Sequence, residues 1–575
     1  MPDYELICGP PGTGKTTALT AAFERCLDAG VEPEEIQVAT FTRAARAEIK
    51  GRILESRGWG QDRIPWVRTI HSAANMILAV PKESHFRQAV HGRQFAAKYG
   101  YLFSSFWAPA ADEADDAALF LGGATIATED DRLRAAYDWG RARMMPAEAI
   151  PGAYPADEPL DEPAFASYVT RYEAFKVERG LVDYADLLSS ALTACREHGS
   201  RPPVQVVIAD EAQDLTAVQV ALLMAWAGPA ERLIVAGDDD QVIFGWAGAS
   251  PDWMIEFASR ATVTVLPQSY RVPRRVQVAA GCVIRRNARR LTKRWKARPE
   301  EGSIARMPMD KAVGLAADVV RGEGTAFLLF RNRMFAEPAC EHMIESGVPF
   351  IVESRGSASS SPLGLTARSS AHGETRFVDA VRVASQLARS ESVDGEALAA
   401  AVAHFVRADG LLPRGVKASL EGLAGSFTVF DCETLGLGAW VAKIRELGPV
   451  RCFDLGVSAT DIEYVAGVCA RNGGLLPEKY VVVSTIHGAK GREADFVAVS
   501  PDMTMATYKA YLADEEPENR VFYVAMTRAR KSLVMCDPET DRHFEWPNQE
   551  ETGERRVREG ALSATEAIPN ERRSK

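Results

Sequence analysis

Nine cysteines are scattered through 575 residues without a CxxC pair or any other tight cluster. That spacing excludes a thiolate zinc site, an iron–sulfur cluster and a disulfide framework, and leaves most of the cysteines as small core residues. Long hydrophobic runs are missing too: no apolar stretch approaches the roughly 18 residues that span a bilayer. The opening MPDYELICGPPG has neither a basic n-region nor a cleavage site, so no signal peptide is expected and the chain is placed in the cytoplasm, away from membranes. An excess of positive charge is absent as well. The formal net charge of −11 excludes a protein that coats nucleic acid with its whole surface, while leaving room for a locally basic groove. What remains, 46% hydrophobic and 25% charged residues, is the composition of a globular protein, and at about 100–200 residues per domain the length allows about three to five domains.

Short β-branched runs recur, each ending in a polar or glycine-containing turn. YELIC, IQVATF, VQVVIAD and LIVAGD lie in the first half, and AFLLF, YVVVST, DFVAVS and SLVMC in the second. Near-continuous apolar strands separated by helical stretches predict an α/β protein with two buried parallel sheets and crossover helices. Two stretches differ in character. Residues 73–180 are helix-rich and carry the acidic APAADEADDAA and the proline-rich PAEAIPGAYPADEPLDEP; they are expected to form an inserted helical domain. Residues 353–478 open with the Ser/Gly/Ala-rich SRGSASSSPLGLTARSSAHG and continue as Ala- and Val-rich helices, a second insertion. The charged tail, 541–575, contains few apolar residues and is expected to be partly disordered.

GPPGTGKT, Gly9 to Thr16, fits GxxxxGK followed by Ser or Thr, and it comes directly after the strand YELIC. In that context the pattern reads as a phosphate-binding loop. Gly9, Pro10, Pro11, Gly12, Thr13 and Gly14 shape a backbone whose N–H groups converge on phosphate oxygens, with the following helix adding its positive end. Lys15 reaches the outer phosphates, Thr16 offers its hydroxyl to Mg²⁺, and Thr17 completes the nucleotide-binding set. Further on, VVIADEAQD puts Asp210 and Glu211 at a second strand end, which a parallel sheet brings to the same edge. Asp210 then holds the metal through water, and Glu211 orients and deprotonates the attacking water. The plainer reading of this pair is two acids at a helix N-terminus; the neighbouring phosphate loop favours the catalytic one.

GDDDQVIFGWAGA, Gly237 to Ala249, sets three aspartates and a glutamine just before Phe244 and Trp246. Two large rings in a loop where the chain leaves the core ask for a reason. The run after it, residues 267–298, is rich in Arg and Lys and has no acid. It is either a phosphate-tracking surface or a helix face set against acidic neighbours.

Taken in order, GPPGTGKTT, ATFTRAARAEI, TIHS, DYADLL, ADEAQD, GDDDQVIFGWAGA, QSYR, STIHGAKGRE and YVAMTRAR resemble the superfamily 1A DNA helicases of the UvrD, Rep and PcrA type, from Gly9 to Arg530 outside the two insertions. The resemblance implies two RecA-like P-loop NTPase domains, each interrupted by a mainly helical insertion, with ATP in the cleft between them and single-stranded DNA across their top. The first motor domain would comprise 1–72 and 181–266, interrupted by 73–180. The second would comprise 267–352 and 479–540, interrupted by the short 353–478. By the same resemblance Gln241 senses the terminal phosphate and Gln213 follows the acidic pair. Arg271 and Arg528 reach the γ-phosphate from the second motor domain, where such cations stabilise developing charge. Tyr270 stacks on adenine and Glu493 accepts from the ribose. Phe41, Phe244 and Trp246 stack on unpaired bases, which tolerates any sequence because every base has a π-face. Thr69, His71 and His487 touch DNA or link it to the nucleotide. Against these stand the plainer readings: a solvated ion pair for each arginine, a satisfied structural histidine, and core packing for a lone tryptophan.

The chain departs from the family pattern in places. Only eight residues precede Gly9, too few for the family's adenine-reading glutamine motif, so the purine is expected to be held by Tyr270 or by another segment. Phe244 stands where tyrosine is frequent, and Ala247 where arginine is. The implied activity is an ATP- and Mg²⁺-dependent DNA helicase or translocase that moves 3′ to 5′ on single-stranded DNA and unwinds duplex in repair, recombination or replication. Its implied partners are single-stranded and 3′-tailed duplex DNA, with recombination, replication or nuclease proteins as candidates. Two alternatives stay open: an ATP switch that strips or loads proteins on DNA without separating strands, and the motor subunit of a helicase–nuclease complex, which would need a separate nuclease.

Overall fold

The computed structural model describes residues 3–104, 128–155, 159–353, 363, 366–369, 373–407, 411–474, 476–548 and 555–556. The acidic APAADEADDAA stretch, most of the Ser/Gly-rich segment at 354–373 and most of the tail 541–575 lie outside the described residues. The chain divides into two compact units, Met1–Glu301 with Met505–Thr527, and Gly302–Thr504 with Arg528–Lys575.

The first unit is built on a six-stranded sheet: β1 (Asp3–Cys8), β2 (Ile36–Thr40), β3 (Val67–Thr69), β4 (Val206–Ala209), β5 (Arg232–Gly237) and β6 (Thr262–Val265), ordered β3-β2-β4-β5-β1-β6. Every pairing is parallel. All five residues of β2 and all four of β4 are buried; β4, VVIA, reads as an unbroken apolar run for that reason, whereas β2, IQVAT, buries Gln37 and Thr40 as well. Cys8 lies opposite Gly237 on one side and Val265 on the other. The three strands therefore finish level, and the loops that follow them start side by side.

The helical insertion has an aromatic core of its own, with Phe95, Phe165, Tyr168, Tyr172 and Phe175 at its centre, separate from the aliphatic core beneath the sheet. An ionic knot fastens it to the helix Tyr184–His198. Asp183 caps that helix in a reciprocal box, its Oδ1 accepting from the Asp186 N–H at 2.7 Å while Asp186 Oδ2 accepts from the Asp183 N–H at 3.0 Å. Lys176, 2% exposed, then places its ammonium 2.8 Å from Asp183, 2.7 Å from Asp186 and 2.9 Å from Glu173. Arg141 bridges the same two aspartates. The DYADLL stretch thus serves here as a cap and an anchor.

The first unit also claims residues that the sequence assigned to the second motor domain. Residues 267–301 and the helix Glu516–Met526 pack with it, so the first stretch of this compact unit runs to Glu301. Two bonds show the contact: the Tyr270 backbone N–H donates to Gly12 O at 2.8 Å, and the Asn287 side-chain Nδ2 donates to Glu516 O at 2.9 Å.

The second unit carries a seven-stranded, wholly parallel sheet. Its strands are β7 (Ser303–Met307), β8 (Ala326–Phe330), β9 (Phe350–Val352), β14 (Val481–Thr485), β15 (Ala494–Val499), β16 (Ala529–Cys536) and β17 (Arg555–Arg556), ordered β17-β7-β16-β15-β8-β14-β9. Two antiparallel ribbons pair β10 (Thr366–Ser369) with β11 (Gly373–Arg376), and β12 (Val393–Asp394) with β13 (Ser426–Phe427). The helices of the second insertion, Phe377–Ala388, Gly395–Phe405, Gly438–Arg451 and Ala459–Arg471, share one apolar core with β8, β9 and β14. Unlike the first insertion, this one has no separate centre among the described residues. No described helix is long and apolar enough to cross a membrane.

Burial pushes the Asp183 carboxyl up, but Arg141 and Lys176 outweigh it and hold it down at about 2. A depressed carboxyl stabilises the fold above its unfolded value of about 4, and that contribution is lost as pH falls toward 2. Lys176→Met is therefore expected to destabilise by about 3–5 kcal/mol at pH 7 in urea unfolding, because it strands buried carboxylates. The difference from the parent should shrink between pH 4 and pH 2; a difference independent of pH would contradict the ionic account.

Candidate nucleotide and DNA site

The loop after β1 folds back on itself. Gly12 and Gly14 take left-handed φ of 70° and 80°, which side chains resist. Gly14 precedes the helix Lys15–Asp28 without a side-chain cap, leaving the first N–H groups to a ligand. The Thr13 hydroxyl donates to Pro10 O at 2.7 Å, and Lys15 Nζ to Gly9 O at 3.1 Å. Thr16 lies in the first turn, and the exposed Thr17 accepts from Arg52 at 3.2 Å. The Gly9 N–H donates to Gly237 O at 2.9 Å, joining this loop to the end of β5.

The QSYR segment locks onto the same loop. Ser269 Oγ donates to Pro11 O at 2.7 Å and accepts from the Val272 N–H at 3.1 Å. A Cβ on Gly12 would come within 2.3 Å of the Arg271 Cβ, so only glycine admits this approach. Arg271 and Tyr270 thus stand beside this loop within the first unit. The Tyr270 ring is 75% exposed, free to stack on a flat ligand.

At the end of β4 the Asp210 N–H bonds to Ala39 O at 2.9 Å. Asp210 is buried, and burial followed by the charge of Glu211 pushes its carboxyl up to about 7, with Lys15 opposing. Glu211 sits at a φ of 46°, a left-handed conformation rare for a side-chain-bearing residue and the kind of strain that gathers at active sites. From Glu211 a hydrogen-bond chain runs across the sheet edge. Gln213 Nε2 donates to the Glu211 carboxylate, Gln213 Oε1 accepts from the Asp238 N–H at 3.1 Å, and Gln241 Nε2 donates to Asp238 Oδ2 at 2.7 Å. Gly237 leaves room for it, since a Cβ there would come within 2.7 Å of Gln213 Oε1.

The aromatic residues behave differently from one another. Phe41 and Phe244 are both 7% exposed and stack on each other, centroids 6.1 Å apart and planes at 28°. Trp246 meets Phe244 edge-on at 6.3 Å and is 45% exposed. Only Trp246 offers an open face in this conformation; the other two cover one another. Thr69 is buried and its hydroxyl caps the helix Ile70–Leu78 by accepting from the Ser72 N–H at 3.2 Å. His71 is buried edge-on to the Tyr184 ring at 5.4 Å.

Within the second unit Arg528 is buried, and its Nη1 donates to Arg492 O at 3.3 Å. Glu493 lies 3.5 Å from the Arg530 guanidinium and lines an open hollow of about 430 Å³ with Tyr480 and Arg492. His487 is half-buried in the turn after β14.

Sequence reading did not single out Asp238, Ser269 and Lys293, which hold this edge together. Arg290 and Lys293 lie on the aspartates of GDDDQ, and Arg289 pairs with Asp252. For these three residues, contact with acidic neighbours is what the basic run provides. The signal was present in the pairing of an acid triplet with a run that has no acid.

The chain matches the model of the UvrD/REP helicase N-terminal domain over residues 3–262 and that of the UvrD-like helicase C-terminal domain over residues 480–536. It is similar to the ATP-dependent DNA helicase UvrD2 of Mycobacterium tuberculosis, 29% identical over 296 residues, which are 48% of this chain and 40% of that protein. DNA helicase II of Escherichia coli is 27% identical over 316 residues, 50% of this chain and 39% of its own length. The ATP-dependent DNA helicase Rep of the same organism is 26% identical over 305 residues, 50% and 42% respectively. The matched region thus spans about 40% of the length of these relatives.

Because Asp210 is a buried carboxyl held toward neutrality, Asp210→Asn is expected to raise the stability of the nucleotide-free protein by about 1 kcal/mol at pH 8, read by urea unfolding. The amide still accepts from the Glu211 N–H. A loss of stability would show that the carboxylate already has a favourable partner.

Proposed function

We infer the function from one premise: the chain belongs to the UvrD/Rep family of helicases. On that premise it is an ATP-hydrolysing motor that moves 3′ to 5′ along single-stranded DNA and unwinds duplex ahead of it, in repair, recombination or replication. The observation that carries this reading is the hydrogen-bond chain Glu211–Gln213–Asp238–Gln241, which runs along the sheet edge into the loop that bears Trp246. A group that orients water, a group that senses the outer phosphate and a ring open to a base then share one short connection.

Roles follow from chemistry. The phosphate loop and the uncapped start of its helix bind the triphosphate, and Lys15 swings from Gly9 O to the outer phosphates. Thr16 and Asp210 would hold Mg²⁺, because a carboxyl that burial and then Glu211 push toward neutrality is one that a divalent cation would relieve. The ion would neutralise charge on the phosphates. Glu211, fixed by Gln213, takes the proton of the attacking water. Arg271 stands beside the loop to meet the developing charge, and Arg528 and Glu493 are assigned to the γ-phosphate and ribose by the family resemblance. Tyr270 holds the adenine face.

Three measurements on one preparation test this. Wild-type protein is expected to hydrolyse ATP faster with oligonucleotide than without, and to displace a strand from a 3′-tailed but not a 5′-tailed duplex. Glu211→Gln is expected to lose turnover by about 10²–10⁴-fold while retaining DNA. Trp246→Ala should keep basal hydrolysis and lose about 1–3 kcal/mol of DNA affinity. Hydrolysis indifferent to DNA in the wild type would end the motor reading.

A further inference from the structure

Lys293 is the most completely enclosed cation of the first unit's acidic edge. Its side chain is 1% exposed, with Nζ 2.6 Å from Asp238 Oδ1 and 2.9 Å from Asp240 Oδ2, and bonded to Asp239 Oδ1. An ammonium has three protons and no acceptor, so three carboxylates use it fully. The flanking residues reinforce the contact. Arg290 forks onto Asp240 at 2.8 and 2.6 Å, and the Leu291 N–H donates to Asp239 Oδ2 at 2.8 Å. Arg520, from the helix Glu516–Met526, donates to the carbonyls of Asp239 and Arg289.

Asp238 divides its carboxylate. Oδ1 takes Lys293 and, at 3.2 Å, the Asp240 N–H; Oδ2 takes the Gln241 side-chain amide. Its own N–H goes to Gln213, which holds Glu211. We propose that Lys293 is a positioning residue for hydrolysis: by fixing the Asp238 carboxylate it fixes the amide of Gln241 and, through the backbone, the Gln213–Glu211 pair. Stability alone is a poor reason for such a cluster, because well-packed apolar residues commonly stabilise as well as a buried ion cluster does. Three acids in a row, with one oxygen spent on a catalytic-loop glutamine, give geometry instead. The proposal rests on the ATP-hydrolysing reading above, and its test has an arm that does not.

Lys293→Arg keeps the charge and changes its shape. In nucleotide-free protein, amide exchange is expected to rise about tenfold at residues 212–214 and 238–242, with the global unfolding midpoint unchanged. In turnover, kcat should fall about 10- to 100-fold with KM for ATP within about twofold of the parent, the signature of lost alignment. Combining it with Gln241→Ala should cost no more than the worse single change, because both act on one arrangement. Arg289→Ala, in the same basic run but in an exposed pair with Asp252, serves as the control and should match the parent. Unchanged local exchange, unchanged kcat, or losses that multiply in the double variant would each overturn the proposal. So would exchange that rises uniformly with a falling midpoint. If Lys293→Arg does not fold, Asp240→Asn, which removes one contact of Lys293 and leaves Asp238 intact, should show the same local pattern, and its absence is equally fatal. A parent without ATP turnover would sink the motor reading, while the exchange arm still decides whether Lys293 positions the loop.

Discussion

Three adjacent carboxylates leave β5 into a space where Asp238, Asp239 and Asp240 are at most 1% exposed, and that burial governs what else the first unit must do. Each unpaired charge taken from water costs several kcal/mol. Asp238 is nonetheless held below the ordinary carboxylate range, because Lys293 and then Lys15 outweigh its burial. The cations have to come from somewhere, and they come from the chain after β6. That requirement pulls residues 267–301 onto the first unit. Once the segment is there, Ser269 and Tyr270 reach the phosphate loop and close on it. The electrostatic need at one strand end therefore sets the geometry at another.

Local rules are broken at the same edge. Glu211 accepts a left-handed backbone, and Gly12 and Gly237 leave room for groups that any side chain would displace. Natural sequences concentrate such conflicts where function demands them. The remote anchor at Asp183 and Asp186 shows the contrast: its charges sit in a reciprocal cap with regular helical geometry, and nothing about it requires strain.

The strands and the phosphate loop were legible because their signals are local. An apolar run buried on both faces, such as VVIA, and glycines at fixed spacing state their environment within a few residues. What failed to show was set by contacts distant in sequence. Lys293 and its acids lie more than 50 residues apart, so the basic run offered two readings and no means to choose. For the rings, sequence gives type and spacing but not cover: that Phe41 and Phe244 stack on each other was not legible. The shared core of the second insertion escaped for a similar reason, since Ala- and Val-rich helices do not state which surface they pack on.

That ring pair bears on how the proposed motor would work. An aromatic pair contributes about 0.5–1.5 kcal/mol beyond its buried area, and a base stacked on a ring about 1–3 kcal/mol. Parting Phe41 from Phe244 to admit a base is therefore close to an even exchange, which a small shift of the loop can tip. Gln241 lies on that loop only three residues before Phe244, tied to Asp238. On the proposed function, Trp246, 45% exposed, is the face a strand would meet first. On that reading, an amide following the outer phosphate and a ring pair opening on a base would be joined by a stretch too short to absorb a displacement, with the ions around Asp238 holding its other end. On the proposed function, that rigidity lets the loss of a phosphate be felt at the DNA.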